Sequence, residues 1–447
     1  MAEVVVCGAG IAGVSATFHL TRAGITDVVI VDPRPPLTLT SDKSTECYRN
    51  WWPHSPMVHL MTRSIDLLDG YAHESNNVFG LNRRGYLYLT ADADRLDSMA
   101  QQAAGASAAG AGELRIHRNR IDNYQPAALD GFTNSPGGAD LFLNGDLLHR
   151  QFPFISTAVV GGLHARTAGW LSAQQLGAWL LEQAEAAGAT LVRSQVMGVN
   201  VTDGKVRSVD LANGTTLDTR AFVNAAGPHL HEVGRMVGID LPVHSEVHSK
   251  TGFRDHLDVF PREAPMIIWN DPQRLDWSNE EIDYLEAAGR HDLIEQMPAG
   301  CHGRPEGGID SPWALGLWEF HTDVREPEWP IPTDPLYTEV VLRGLSSIVP
   351  ALGVYNDRLP EAVIDGGYYT KTVENRPLAG PAGPDGSYIC GALSGFGIMA
   401  ACGVGEIVAT AITGGEMPPY AHWFDVRRYD DPRYLDGLAD MRDSGQL

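Results

Sequence analysis

The hydrophobic and polar positions near the start of the chain follow the pattern of a strand, a helix and a second strand. Residues 4–7 are a short apolar run of the kind found in buried parallel strands. A helix is predicted from about residue 11 to residue 23, with Gly24 as its stop signal. Residues 27–32 form the second predicted strand, which ends in Asp32. The opening segment therefore predicts a β-α-β unit.

The middle of the chain carries the pattern of an antiparallel insertion. A strand is predicted over residues 190–201, and two hairpin signals follow it, Asp203-Gly204 and Asn213-Gly214. Together they predict a three-stranded meander over roughly residues 196–219. Residues 221–227 then predict a further buried strand that enters a turn of small residues.

Three glycines after the first strand have the spacing of a nucleotide-binding loop, G-x-G-x-x-G. Gly8 allows a tight turn, Gly10 lets the backbone approach a pyrophosphate, and Gly13 lets helix and strand pack closely. The helix that follows points its free amide groups and positive dipole end at the phosphates. Asp32 is placed to accept a hydrogen bond from a ribose hydroxyl. These residues predict a dinucleotide site, with a ligand-free tight turn as the alternative.

A second glycine-rich run lies near the other end of the chain, at Gly391, Gly395 and Gly397, and leads into an apolar stretch at residues 400–412. Two glycine loops that each open a helix, at opposite ends of the chain, indicate one long cofactor held between them. We interpret it as FAD. The first loop alone does not separate NAD from FAD, but the inserted meander departs from the repeated β-α-β plan of a nicotinamide dehydrogenase.

These elements predict an α/β chain, α+β overall. A Rossmann-like FAD-binding domain with the inserted β-meander is joined to a second, mostly antiparallel substrate domain. The predicted FAD-binding domain comprises residues 1–90, 151–235 and 345–447, and the predicted substrate domain comprises residues 91–150 and 236–344. Five tryptophans are concentrated in the predicted second domain: Trp269, Trp277, Trp313, Trp318 and Trp329. They are interpreted either as an aromatic wall over the cofactor or substrate or as packing of the sheet.

Composition narrows the classes of function. A chain of 447 residues is long enough for two domains. The net charge of −23 argues against nucleic acid and anionic membranes as partners. No apolar run reaches the roughly 18 residues of a membrane span, and the amino terminus lacks the basic leader of a secretion signal. The five cysteines are scattered, which predicts free thiols in the cytoplasm and no metal site.

Several segments together resemble the D-amino-acid-oxidase-like flavoproteins, the group that includes sarcosine oxidase, glycine oxidase and dimethylglycine dehydrogenase. The matching pieces cover about half of the chain in the family's order: residues 4–32, 169–172, 188–201, 223–227, 375–381 and 391–405. Residues 39–45 and 395–398 look most similar to the dimethylglycine dehydrogenase branch.

The resemblance implies FAD, covalent or non-covalent, and a sheet domain that roofs the flavin ring. It implies that Gly8, Gly10, Gly13 and Asp32 hold the ADP half of the cofactor. It also implies further cofactor contacts at the pyrophosphate, at the adenine and at the pyrimidine edge of the ring: Ser44, Thr45, Val196, Ala226, Gly227, Gly395, Gly397 and Ile398.

The chain departs from the family pattern at the covalent linkage. Where sarcosine oxidase has its flavin-linked cysteine, this chain has Gly367. Where the dimethylglycine branch has a linking histidine, it has Cys47, so the alternatives are a thioether and an unmodified thiol.

The chain also departs from the family pattern at the substrate carboxylate. The lysine that holds it in sarcosine oxidase is replaced by Met399, and the neighbouring histidine is replaced by Phe396. Either the carboxylate is held elsewhere or the substrate lacks one at that point. Arg49, Arg254 and Arg304 are the candidate cations, since an arginine can clamp a carboxylate with two hydrogen bonds. Arg49 is preferred because it follows the Ser-Thr segment, which is expected to run beneath the flavin.

The catalytic candidates are Lys43, Arg49 and His321, with His54 as a further possibility near the flavin. Lys43 is placed to assist reaction with oxygen. The predicted function is FAD-dependent oxidation of a secondary or tertiary amine, N-methyl or amino-acid-like, to an imine that hydrolyses. Oxygen or an electron-transfer partner then takes the electrons. A 2-hydroxy-acid oxidase or dehydrogenase and a non-catalytic flavin-binding subunit of a larger complex are the alternatives.

Overall fold

Two large sheets organise the chain, and each takes strands from widely separated segments. The computed structural model describes residues 2–121, 123–320 and 323–438. The strands are β1 Ala2–Cys7, β2 Val28–Asp32, β3 Cys47–Arg49, β4 Tyr86–Thr90, β5 Leu114–His117, β6 Ala139–Phe142, β7 Gly161–Ala165, β8 Ala168–Trp170, β9 Thr190–Arg193, β10 Val196–Thr202, β11 Lys205–Leu211, β12 Thr216–Asn224, β13 Val243–Arg254, β14 Met266–Trp269, β15 Cys301–Glu306, β16 Trp313–Leu317, β17 Ala362–Thr372, β18 Leu378–Pro381 and β19 Ser387–Gly391.

The helices are distributed along the chain between the strands. They are α1 Ile11–Arg22, α2 Thr40–Lys43, α3 Ser55–Glu74, α4 Leu96–Ala106, α5 Gly145–Gln151, α6 Ala173–Ala186, α7 Leu230–Met236, α8 Asn279–Ala287, α9 Tyr337–Ser346, α10 Gly397–Thr413 and α11 Pro432–Gly437. In the described part of the chain, none of these helices has both the length and the apolar character that crossing a bilayer requires.

The first sheet has eight strands and holds the predicted nucleotide unit. Its central strands β12, β1, β2 and β9 run parallel, and β19 joins β12 in parallel and carries β18. The β1-α1-β2 unit agrees with the sequence prediction to within a residue or two. The meander of β10, β11 and β12 is confirmed, with turns at the two predicted dipeptides.

Strand β12 combines two strands that were predicted separately. The sequence predicted a separate buried strand at residues 221–227, but β12 continues without a break from the meander into the core. Its first half pairs antiparallel with β11, and its second half pairs parallel with β1. Such a change of partner leaves no mark in hydrophobic periodicity, because the backbone stays extended throughout.

The second sheet has nine strands in the order β17-β13-β16-β15-β14-β4-β7-β6-β5. Most of its neighbours are antiparallel; β14 with β4 and β5 with β6 are parallel. Three of its strands, β4, β7 and β17, come from ranges that the sequence assigned to the FAD-binding domain. Sheet membership therefore cuts across the predicted division, which stays a proposal.

The two ends of the chain meet on one face of the first sheet. Ser15 in α1 donates a hydrogen bond from Oγ to the carbonyl oxygen of Ala401 in α10, 2.9 Å away. The helices approach so closely that a Cβ on Gly405 would lie 2.6 Å from Ser15 Oγ. A side chain at position 405 would force the helices apart, so this crossing fixes the position of α10 against the nucleotide unit.

Candidate functional site

The first cavity lies where the two glycine loops meet. The loop between β1 and α1 contributes one wall, and the start of α10 contributes the opposite one. The predicted cofactor residues that line it are Gly8, Gly10, Asp32, Ser44, Ala226, Gly227, Gly395, Gly397 and Ile398. The amino ends of α1 and α10 both open on this cavity, and such ends favour anionic groups.

The glycines of the first loop are required by close backbone contacts. Gly8 has a φ of +110°, and a Cβ there would lie 2.4 Å from the carbonyl oxygen of Ala225. A Cβ on Gly13 would lie 1.9 Å from the carbonyl oxygen of Gly8. Gly13 does not line the cavity; it lets α1 pack against the turn, as its place in the motif predicts.

The Asp32 carboxylate is fixed at the end of β2. One oxygen accepts a hydrogen bond from the amide of Ala9 at 2.9 Å, and the other accepts one from the amide of Arg34 at 2.8 Å. Each carboxylate oxygen has a further lone pair, so a ribose hydroxyl can still donate to it. An acid beside a glycine loop, with helix ends on two sides, suits a dinucleotide cofactor such as FAD.

Besides Gly13, two predicted cofactor residues, Thr45 and Val196, do not line the first cavity. The carbonyl oxygen of Thr45 accepts hydrogen bonds from Arg304 at 3.0 and 2.8 Å. Val196 is buried in β10, opposite Leu211. Their predicted contacts with the cofactor remain predictions.

A second cavity of about 720 Å³ adjoins the first. Tyr369 and Thr370 of β17 line the first cavity, and the next residues, Lys371 and Thr372, line the second. Within the described residues, the wall of the second cavity includes Trp51 and Trp52 and none of the five tryptophans of the predicted aromatic cluster. The alternative interpretation of that cluster is sheet packing, and the burial of Trp269 and Trp318 agrees with it.

Arg49 is the predicted catalytic residue that the structure brings to the second cavity. It is the last residue of β3 and only 3% exposed. Its guanidinium carbon lies 4.4 Å from the ring centre of Trp52 and 5.9 Å from that of Tyr88, and both residues line the same cavity. The aromatic rings thus pack against the guanidinium group within the wall of the cavity.

The apolar residues that replace the family's carboxylate-binding pair belong to this aromatic packing. Phe396 packs edge to face on Trp52, with ring centres 5.2 Å apart. Met399 is buried in α10.

Lys43 lies in an ion-pair network outside both cavity walls. Its Nζ is 2.7 Å from Asp42 and 2.9 Å from Asp365. Burial lowers the pKa of Lys43, but the hydrogen bonds to these carboxylates outweigh burial and raise it. Lys250, which the sequence analysis missed, donates to the carbonyl oxygens of Asp42 and Ser44, and burial lowers its pKa.

The other candidates occupy varied positions. Arg254 is half exposed beside Glu361, and Arg304 is buried under Thr45; neither belongs to the described walls of the first and second cavities. His54 lines the second cavity, and burial lowers its pKa. His321 lies outside the described residues.

Cys47, the candidate for a covalent linkage, is buried away from both cavity walls. Its Sγ contacts the carbonyl oxygen of Thr45 at 3.2 Å. Burial raises the pKa of the Cys47 thiol. A protonated, enclosed thiol agrees better with the unmodified alternative than with a thioether.

A charged cluster that the sequence analysis missed forms part of the wall of the second cavity. Glu246 accepts hydrogen bonds from Lys371 at 2.7 Å, from His248 Nε2 at 3.1 Å and from His244 Nε2 at 3.2 Å. Nδ1 of His248 lies 3.1 Å from Glu319. We call these five residues the Glu246 cluster. Residues 244, 246 and 248 occupy every second position of β13 and so share one face of the strand. This spacing of titratable residues was the sequence signal that could have indicated the cluster.

The charges of the Glu246 cluster stabilise one another. Burial raises the pKa of Glu246, but its three hydrogen-bond donors outweigh burial and bring the pKa well below its usual range. Burial lowers the pKa of His248, but the carboxylates of Glu319 and Glu246 outweigh it and raise the pKa. His248 also stacks on Tyr369, with ring centres 3.8 Å apart, and Tyr369 lines the first cavity. Glu246, Lys371 and His248 thus form a group of mutually stabilising charges next to the cofactor cavity.

The described residues include no group of histidine, cysteine, aspartate and glutamate side chains arranged to bind a metal ion.

Comparison with known proteins gives a consistent result. A family model described as DAO, FAD dependent oxidoreductase, matches residues 3–411. The mitochondrial dimethylglycine dehydrogenases of Mus musculus and Homo sapiens are each 24% identical over 442 residues, which is 97% of this chain. The chain spans only 44% of the length of either relative.

Solved structures share the fold. The L-proline dehydrogenase from P. horikoshii superposes with a TM-score of 0.73 at 19% identity, covering 96% of this chain and 98% of that one. The glycine oxidase from Geobacillus kaustophilus gives 0.72 at 17% identity, covering 95% and 98%.

Proposed function

Since this chain belongs to the DAO family of FAD-dependent oxidoreductases, we propose that it oxidises secondary or tertiary amines that carry a carboxylate. The observation that carries the proposal is Arg49, a buried cation in the wall of a cavity that adjoins the cofactor cavity. The relatives support the proposal, because their names refer to dimethylglycine, glycine and L-proline. Each of these compounds combines an amine with a carboxylate.

The cofactor supplies the redox chemistry, since bound FAD accepts the hydride that leaves the carbon next to nitrogen. The chain supplies binding and orientation. The loop of Gly8 and Gly10 and the carboxylate of Asp32 would hold the ADP half, and the start of α10 at Gly397 would meet the flavin end. Arg49 binds the substrate carboxylate and so holds the reacting carbon in one orientation. The imine product then reacts with water to give an aldehyde or keto product and a smaller amine.

A substrate ammonium must lose a proton before the hydride can leave, and His244 is placed to accept it. His244 lines the second cavity, and its Nε2 is 3.2 Å from Glu246. Among the described residues, nothing bonds its other ring nitrogen, Nδ1. Glu246 is itself held by Lys371 and His248, so it orients the imidazole of His244 as the third member of a triad orients a base. We assign His244 the role of proton acceptor.

Replacing His244 by glutamine should change the pH dependence of the reaction. Without an acceptor, only the neutral amine already present in solution reacts, and that fraction falls about tenfold per pH unit below the amine's pKa. We expect the rate of anaerobic flavin reduction to fall about 1,000-fold at pH 7 and to approach that of the unmodified protein near about pH 10. The measurement is the reduction rate as a function of pH.

The control is His302→Gln, a buried histidine on strand β15 of the same sheet that does not line the second cavity. If the His244→Gln and His302→Gln profiles run parallel to that of the unmodified protein, His244 is not the acceptor.

The proposed function is tested by mixing the yellow protein anaerobically with panels of amines and of 2-hydroxy acids while following flavin absorbance. We expect carboxylated secondary or tertiary amines to bleach the flavin and 2-hydroxy acids to leave it oxidised. Bleaching by hydroxy acids alone would establish the first alternative, and bound FAD that neither panel reduces would establish the non-catalytic subunit. Admitting air to the reduced protein then tells whether oxygen or another acceptor takes the electrons.

A further inference from the structure

The second cavity is much larger than an N-methyl amino acid needs. Its volume of about 720 Å³ falls within the range of about 300 to 1,000 Å³ that is typical of sites for drug-sized ligands. It extends from Arg49 to the exposed face of α4, where Ser98 and Gln102 contribute to the wall. A substrate with only a methyl group on nitrogen would leave most of this space to water.

The charged side chains beyond Arg49 are engaged with one another. Lys371 pairs with Glu246 at 2.7 Å, and Glu319 lies 3.1 Å from His248. Arg95 reaches Asp271 at 3.1 Å. A second formal charge on the substrate would have to compete with these existing pairs, at the cost of its own desolvation.

The rest of the polar wall is uncharged and able to donate and accept hydrogen bonds. It includes Ser98 and Gln102 on α4, Asn270 after β14, and Asn375 after β17. Thr90 and Thr372 also line the cavity, but their hydroxyl groups are already hydrogen-bonded to Asp271 and to the backbone of Arg376. In the described part of the chain, Oδ1 of Asn375 has no hydrogen-bond partner. Groups of this kind on several sides of a cavity match a chain of hydroxyl groups, which also donate and accept.

From cavity size, charge pairing and wall chemistry we infer that the substrate nitrogen carries a large, uncharged, hydroxyl-rich substituent. This inference rests on the proposed amine oxidation and specifies its substrate class: the carboxylate lies at Arg49, and the hydroxylated arm extends along the wall toward α4. A site that hydrogen-bonds hydroxyl groups discriminates against analogues that lack them, because its own polar groups are then left unpaired.

Ligands that cannot be oxidised test the inference apart from turnover. In methoxyacetate, hexyloxyacetate and deoxyhexityloxyacetate an ether oxygen replaces the amine nitrogen, and diglycolate adds a second carboxylate. Binding to the full-length, FAD-loaded protein is measured by calorimetry. We expect the deoxyhexityl compound to bind at least about tenfold more tightly than each of the others. Equal or tighter binding of methoxyacetate, hexyloxyacetate or diglycolate would overturn the inference.

Two glutamines on α4 provide a matched pair of variants. Gln102 lines the cavity, and its neighbour Gln101 is equally exposed but does not. We expect Gln102→Leu to weaken binding of the deoxyhexityl ligand by about fivefold or more and to leave the affinity for methoxyacetate unchanged. Gln101→Leu should change neither. Equal effects of the two substitutions would contradict the proposed path of the hydroxylated arm.

The corresponding amines, N-methylglycine, N-hexylglycine and N-deoxyhexitylglycine, are then offered to the same protein under anaerobic conditions. If the ether ligands bind as expected and none of the amines reduces the flavin, the proposed amine oxidation fails while the shape and polarity of the cavity stand. If N-methylglycine reduces the flavin as efficiently as N-deoxyhexitylglycine, amine oxidation stands and the inferred substituent is wrong.

Discussion

Replacing Arg49 by glutamine is expected to lower kcat/KM for carboxylated amines by about 100- to 1,000-fold, or about 3 to 4 kcal/mol. The reason is the loss of a buried charge, which in the proposed function binds the substrate carboxylate with two hydrogen bonds. FAD content should not change, because Arg49 lines the second cavity and not the first. Lysine at this position should recover only part of the activity, since an ammonium group lacks the planar fork of a guanidinium.

A double-mutant cycle distinguishes substrate binding from general damage. The substrate carboxylate is replaced by a carboxamide, which the unmodified protein should oxidise poorly and Arg49→Gln should oxidise no worse than the carboxylate. Arg95→Gln is the control, because Arg95 is another arginine in the wall of the same cavity, where it is paired with Asp271. If replacing the carboxylate by a carboxamide lowers kcat/KM as much in Arg49→Gln as in the unmodified protein, Arg49 does not bind the carboxylate.

Replacing Gly10 by valine is expected to weaken FAD binding by about 100-fold or more, equivalent to about 2.7 kcal/mol or more, while the chain still folds. Gly10 has an ordinary extended backbone, with φ −73° and ψ 177°, so a side chain is not strained there. A Cβ would have only Ser41 Oγ within reach, at 3.3 Å. Because Gly10 lines the first cavity, the valine methyl groups would occupy space that the pyrophosphate needs.

FAD affinity is measured by titrating the deflavinated protein and following the recovery of flavin absorbance, with circular dichroism to check folding. Gly70→Ala is the control, since Gly70 lies on α3 with no atom near its potential Cβ. A yellow Gly10→Val protein with unchanged FAD affinity would show that the cofactor does not approach this loop.

The sequence predicted the parts of the fold that depend on local signals. The β1-α1-β2 unit was predicted almost residue by residue, because glycine spacing and apolar periodicity are properties of neighbouring residues. The hairpins around Gly204 and Gly214 were predicted for the same reason, since positive φ at these glycines is a local requirement. The double role of β12 was not predicted, because it depends on which strands arrive on either side.

The candidate site was predicted where it rests on the glycine loops and missed where it rests on strand pairing. The Glu246 cluster forms only because β13 lies between β17 and β16, which brings Lys371 and Glu319 to opposite sides of residues 246 and 248. No local pattern contains that information. Lys43 was predicted at the cofactor from its place in the chain, but Asp365 on β17 holds it in an ion pair.

The crossing of α1 and α10 has a consequence for how the protein is made. The hydrogen bond between Ser15 and Ala401 joins positions 386 residues apart. At translation speeds of 5 to 20 residues per second, the first glycine loop waits roughly 20 to 80 s before its counterpart is synthesised. A nascent chain that lacks α10 has only half of the flavin pocket, so capture of FAD should follow translation of this helix and report completion of the nucleotide domain.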